Sequence, residues 1–234
     1  MTDWKTVGQA WVYRWIDPFI KLLIKRGITP NMVTFIGLLI NVIAAVVLIY
    51  GAEKADRNDH RVVGLAGAII LFAGLFDMID GRLARLGKSE SVYGALYDSV
   101  LDRYSELFMF LGICYYLVAN HYFLSSLFAF IAMIGSVMVS YTRARAEGLG
   151  IKMADVGFMQ RPERILTIGI SAIICGIMSG LLGSEYKITV SWLPFPLVET
   201  ISFFTFPVFL LAVFSNITAY LRLKHAKTLL NTKQ

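Results

Sequence analysis

Four aspartates hold most of the chemistry that this chain's side chains offer. Asp77, Asp80, Asp98 and Asp102 lie in FDMIDGRLARLGKSESVYGALYDSVLDRYSE and interrupt two otherwise apolar stretches. A carboxylate in hydrocarbon costs about 2.5–3.5 kcal/mol on insertion scales, so a group of them calls for compensating positive charge. At the helical repeat, Asp77, Asp80, Gly81 and Ala84 share one stripe. Gly94, Asp98 and Asp102 share another, and the polar residues from Gly87 to Ser91 between them read as a turn. Two antiparallel helices then bring the acids face to face. Converging carboxylates suit one or two hard divalent cations, Mg²⁺ or Mn²⁺. Gly81, Ala84 and Gly94 leave room beside them, and Arg85 is close in sequence, which together describe a place for a diphosphate ester. The plainer alternative is that Arg82, Arg85 and Arg103 pair with the acids only to pack helices. Buried ion pairs roughly break even against apolar packing, so paired stripes of acid over small residues make poor stability engineering.

A second group is cationic. In SYTRARAEGLGIKMADVGFMQRPER, Arg143 stands just past an apolar span and Arg164 begins the next, with Arg145, Lys152 and Arg161 between them. The preference of cytoplasmic loops for Lys and Arg accounts for the number of bases but not for their places at the span ends. A ligand that carries a phosphate calls for such residues, because the guanidinium fork binds phosphate in a bidentate way.

The elements that must hold these groups are apolar. The chain has 234 residues, 57% hydrophobic and 16% charged, with a mean hydropathy of +0.65. Average domains carry about 25% charged residues. Two cysteines cannot build a disulfide framework, and the apolar excess excludes disorder. A net charge of +6 suits a nucleic-acid binder, but this hydropathy does not. A span needs about 20 apolar residues. Six stretches qualify, near 31–50, 63–82, 95–119, 123–146, 163–183 and 200–223. The sequence therefore predicts an all-α polytopic membrane protein. With six spans, only Lys54, Arg57, Arg61 and Lys187 of the 22 basic residues fall on the side opposite the termini. That asymmetry places both termini and the acid-bearing helix ends in the cytoplasm. Upstream, Trp4, Trp11, Trp15, Phe19 and Leu22 recur at helical spacing among Lys5, Gln9, Lys21 and Lys25. Residues 1–28 thus read as an interfacial amphipathic helix, bent or broken near Pro18 and ended by Gly27, ahead of one membrane domain over 29–234. No uninterrupted apolar core of a signal peptide is present there.

The aspartate stretch resembles the signature of the CDP-alcohol phosphotransferase family, D-x2-D-G-x2-A-R-x8-G-x3-D-x3-D. It matches at Asp77, Asp80, Gly81, Ala84, Arg85, Gly94, Asp98 and Asp102 with every spacing kept. At usual residue frequencies, a chance match of this kind occurs on the order of once in ten billion placements. The resemblance implies a six-helix membrane enzyme, usually a homodimer, that transfers a phosphoalcohol from a CDP-linked donor to a hydroxyl and releases CMP. It also implies roles. Asp77, Asp80 and Asp98 hold the metals, with Asp102 as general base that also touches the second ion. Gly81, Ala84, Arg85 and Gly94 lie against the CDP moiety, and Asn31 and Thr34, after the Thr29-Pro30 turn, line the nucleotide pocket or merely start a helix. SY-x-R-ARAE-GLG followed by RPER is similar to the prokaryotic phosphatidylinositol-phosphate synthase branch. There the donor is CDP-diacylglycerol, the acceptor is inositol 1-phosphate, and the matching residues Arg143, Arg164 and Arg222 bind its phosphate. One extra residue separates Arg143 from Arg164 relative to that branch. Glycerol 3-phosphate also brings a phosphate and is the competing acceptor. A cation transporter, a different class of function, would set acids near the bilayer midplane on broken helices, whereas these cluster at the basic side. For a prokaryotic source the branch resides in the inner membrane.

Two features stay structural. His60, His121 and His225 are scattered, without zinc spacing. Cys114 and Cys175 sit in separate apolar spans as buried hydrophobes, while Gly176 and Gly180 form a small-xxx-small pair for close helix packing, within a subunit or across a dimer.

Overall fold

Apolar stretches of this length satisfy every backbone polar group internally only as helices, and helices are what the computed structural model contains. It describes residues 16–56, 59–153, 156–183, 186–189, 191–192, 196 and 198–231. Helix α1 covers residues 16–25 as described. It is followed by α2 (Pro30–Lys54), α3 (Arg61–Leu86), α4 (Val92–Ala119), α5 (Phe123–Glu147), α6 (Arg161–Leu182) and α7 (Ser202–Asn231). Each predicted span falls on one of the helices α2 to α7. Five of these, α2, α3, α5, α6 and α7, are long and apolar enough to cross a bilayer, which marks an integral membrane protein. Helix α4 is as long, but Asp98, Asp102, Arg103 and Glu106 lie along it and hold it outside that set. The sequence reading also lacked a two-residue antiparallel ladder between α6 and α7, β1 (Lys187–Ile188) with β2 (Val198–Glu199).

The chain divides into two compact units, one drawn from Met1–Ile40 and Phe72–Ser105, the other from Asn41–Leu71 and Glu106–Gln234. In the first, Ile20, Val33 and Leu83 are buried, with Ile16, Leu23, Ile28, Phe76 and Ile79 packed on them. Within the described residues 16–25 helix α1 is continuous at Pro18. It ends where expected. Gly27 takes φ +71°, its N–H donates to the Ile24 carbonyl and that of Ile28 to Leu23, the paired bonds of a Schellman cap. The tryptophans proposed for the interfacial face, Trp4, Trp11 and Trp15, lie outside the described residues. Thr29 then caps α2, with Pro30 in the first helical position.

The second unit is built on Phe110, Tyr116, Leu117, Ile168, Phe204 and Leu211, all buried, with small residues where helices meet. A Cβ on Gly176 of α6 would stand 2.6 Å from the Gly64 Cα of α3, so the backbones touch there. Gly180 faces open space. Of the predicted small-residue pair, Gly176 is therefore used inside the subunit. Cys175 is fully buried, and Cys114 is partly buried.

Candidate functional site

The first unit contains the signature residues. A cavity of about 420 Å³ opens between the start of α2, the end of α3 and the start of α4. Thr29, Pro30, Asn31 and Thr34 line it from α2; Asp80, Gly81, Ala84 and Arg85 from α3; Ser89, Glu90 and Ser91 from the turn; and Gly94, Ala95 and Asp98 from α4. Eight residues singled out in the sequence are thus brought together, Asn31, Thr34, Asp80, Gly81, Ala84, Arg85, Gly94 and Asp98. Asp77 and Asp102 are not in its lining. Among the described residues no group of three or more acidic, histidine or cysteine side chains is drawn up as for an ion.

Local chemistry explains the shape. The turn after α3 puts Lys88 in the left-handed region at φ 50°, where the Ser89 N–H reaches the Ala84 carbonyl and reverses the chain. Ser91 caps α4, its Oγ accepting from the Gly94 N–H at 2.9 Å. The N-terminus of α4, with its positive partial charge, therefore opens on the cavity, a setting that favours phosphate. A Cβ on Gly94 would come to 2.9 Å from Ser91 Oγ and 3.5 Å from Asn31 Oδ1, so any other residue fills the space.

Asp80 is 5% exposed, and Thr34 Oγ1 donates to its Oδ2 at 2.8 Å. Asp77 and Asp98 are near enough for their charges to act on it. Carboxylates whose charges act on one another repel until a cation relieves them, and hard divalent ions take such donors. The donor set fits a metal of that class. Arg82 is one of the bases expected to offset the acids. Its Nε and Nη2 each donate to Asp17 at 2.8 Å, a bidentate tie between α3 and α1. That hydrogen bond holds the half-buried Asp17 carboxyl below its ordinary range. Arg85 remains as the arginine in the cavity wall. Asp102 Oδ2 lies 3.7 Å from Arg103 Nη1 and is 13% exposed.

The second unit contains the arginines. Arg164 is fully buried, its Nε and Nη2 donating to Glu106 Oε1 at 2.9 and 2.6 Å and its Nη1 to the Met159 carbonyl at 3.1 Å. Arg222 is 2% exposed and donates from Nε to the Val156 carbonyl and from Nη1 to that of Val139. Arg143 is half exposed and pairs with Glu147 one turn on. The charges of Arg143 and Arg164 both act on Arg222. Sequence reading missed Glu106. Its signal was available, since it continues the stripe of Asp98 and Asp102 by one more turn. Thr29 and Ser91 were missed as wall residues because caps look alike wherever helices begin.

The chain is similar to known proteins. The family model described as CDP-alcohol phosphatidyltransferase matches residues 27–201. The archaetidylinositol phosphate synthase of Pyrococcus horikoshii is 34% identical over 180 residues, covering 75% of this chain and 84% of that one. The phosphatidylinositol phosphate synthase of Mycobacteroides abscessus is 34% identical over 161 residues, 68% of this chain and 69% of that one. Among solved structures, the Mycobacterium tuberculosis phosphatidylinositol phosphate synthase with CDP-DAG bound superposes with a TM-score of 0.70 at 28% identity, covering 91% of this chain and 94% of that one. The same enzyme in complex with manganese and citrate gives 0.69 at 27% identity, covering 90% and 88%.

Proposed function

The chain belongs to the CDP-alcohol phosphatidyltransferase family, and on that premise we propose that it transfers the phosphatidyl group of CDP-diacylglycerol to inositol 1-phosphate, releasing CMP. The observation that carries this reading is the cavity that gathers Asp80, Asp98, Gly81, Ala84, Arg85 and Gly94 at the N-terminus of α4. Asp77, Asp80, Asp98 and Asp102 would hold the metal, Mg²⁺ or Mn²⁺ and two ions in number. When bound, it neutralises the diphosphate and acidifies the acceptor hydroxyl. Arg85 and the free N–H groups of α4 take the donor's phosphates, while Gly81, Ala84 and Gly94 give the cytidine side its space. Asn31 and Thr34 complete that wall, and Thr34 also orients Asp80. Asp102 accepts the proton as the acceptor oxygen bonds to the phosphatidyl phosphorus and the bond from that phosphorus to CMP breaks. Arg143, Arg164 and Arg222 supply the positive charge that a doubly charged acceptor requires. The bonds described above use only three of the five N–H groups of Arg164 and two of those of Arg222.

The same reading makes α4 the sixth span, residues 29–234 one membrane domain and residues 1–28 an interfacial helix on its cytoplasmic side. Both termini and the active site then face the cytoplasm, in the inner membrane of a prokaryote, and the enzyme works as a homodimer. Cysteines introduced as Lys187→Cys and Lys227→Cys should label from opposite faces of sealed vesicles; labelling from one face would remove this topology. The activity itself is tested by supplying CDP-diacylglycerol and a divalent metal with inositol 1-phosphate, free inositol, glycerol 3-phosphate or serine, and counting CMP. Inositol 1-phosphate should be preferred. Preference for glycerol 3-phosphate would move the enzyme to the phosphatidylglycerophosphate branch, and metal flux without CMP release would end the enzyme reading.

A further inference from the structure

Helix α7 is longer than a membrane requires. Its 30 residues, Ser202–Asn231, run for about 45 Å at 1.5 Å per residue, against roughly 30 Å of hydrocarbon. The surplus, RLKHAKTLLN, alternates bases with apolar residues, and Leu223 and Leu230 stay exposed at 62% and 38%. Between this end of α7 and the end of α5 lies a groove of about 1030 Å³ that shares no lining residue with the signature cavity. Arg145, Lys224 and Lys227 stand on its walls with Tyr141 and Tyr220, and no acidic residue occurs among its described lining. Leu149, Leu223 and Leu230 make much of the rest apolar.

We propose that this groove binds one anionic phospholipid from the bilayer, its phosphate held by Arg145, Lys224 and Lys227 and its glycerol and upper acyl chains laid against Tyr141, Tyr220 and the leucines. Three features select that occupant. Bases without acids call for an anion, and bases at a membrane surface attract anionic lipid individually. Tyrosines with an apolar body and a polar tip belong at headgroup level. A free phosphate would leave the leucines and tyrosines in water, whereas a lipid covers them. A second copy of the chain in a two-fold contact would bring the same bases against themselves, which like-charge repulsion opposes.

Native mass spectrometry of the full chain, released from detergent with equal dioleoylphosphatidylglycerol and dioleoylphosphatidylcholine, reads this directly. The unmodified protein should retain one phosphatidylglycerol in preference to phosphatidylcholine. Arg145→Gln/Lys224→Gln/Lys227→Gln should lose that preference by at least tenfold, with CMP release at saturating substrate unchanged. Lys224→Gln/Lys227→Gln, altered only at exposed positions of α7, should lose part of it with the same melting temperature as the parent. The control Lys21→Gln/Lys25→Gln/Arg26→Gln removes as much charge elsewhere and should keep the preference. Equal loss in that control means general surface charge and overturns the site. So does an undiminished preference in the groove variants, or a change in subunit number without a change in lipid retention, which would assign the groove to a contact between copies.

Discussion

On the proposed function, charge and proton acceptance coincide at Asp102, and a variant separates them from binding. Asp102→Asn keeps the size of the side chain and should still bind CDP-diacylglycerol, yet lose roughly 10²–10⁴-fold in CMP release. Near-normal turnover would remove the base from that position. Asp77→Asn should weaken donor binding as well. Arg164 needs a different design because of Glu106. Truncating it to alanine leaves the Glu106 carboxylate, 3% exposed, without its partner, and breaking a buried pair in this way costs about 3–5 kcal/mol. Arg164→Ala should therefore melt earlier as well as raise the acceptor KM more than tenfold, with the donor KM nearly constant. Glu106→Gln/Arg164→Met should restore the melting temperature but not the acceptor KM; a restored KM would make the pair purely structural. The signature residues were legible in the chain because types and spacings alone carry their chemistry. The contacts that tune them were not. Thr34 meets Asp80 across 46 positions and Arg164 meets Glu106 across 58, and only the fold supplies those separations.

Hydropathy reveals a helix where the environment must be apolar, and it loses the helix where that demand stops. Helix α3 continues past Arg82 to Leu86, and α7 continues eight residues beyond the expected end at 223, because good helix formers follow the apolar run. Conversely the apolar length of 95–119 predicts a span despite its acids, and those acids hold α4 outside the helices apolar enough to cross a bilayer. The β1–β2 ladder is too short for any periodicity to mark it. Helix contacts show the same divide. Gly176 and Gly180 look equivalent in sequence, but only Gly176 meets another backbone. Gly176→Ala should lower the melting temperature in detergent, because the added methyl would stand 2.6 Å from the Gly64 Cα and 2.9 Å from its nitrogen, neither of which can swing aside. Gly180→Ala meets nothing and removes a flexible residue from a helix, so it should be neutral or slightly stabilising. Equal losses in both variants would contradict this packing.

On the scale of the whole chain, stability should depend on pH through a residue that the sequence left unremarkable. His60 stands just before α3 and is 2% exposed. Its Nδ1 is 2.9 Å from the Tyr116 hydroxyl, its backbone N–H donates to Ser179 Oγ at 3.0 Å, and Tyr122 packs edge-on against its ring. It thereby ties the segment ahead of α3 to α4 and α6. Burial pushes its pKa from 6.5 down to about 4, and the neighbouring Asp59 charge opposes that only in part. In the unfolded chain the imidazole takes up a proton once the pH falls below about 6.5, while in the folded chain it stays neutral until about pH 4. The unfolded state then binds more protons across that interval, so its stabilising contribution is complete above pH 6.5 and drains away as acid is added. At about 1.4 kcal/mol per pKa unit, the loss reaches about 3 kcal/mol by pH 4. Melting temperatures in detergent should fall by several degrees between pH 7.5 and 5 in the unmodified protein. In His60→Gln, which accepts no proton, the starting value should be lower, because a packed ring is lost, but the fall should be smaller. A fall of the same size in both proteins would show that other groups carry the acid sensitivity and that His60 only packs.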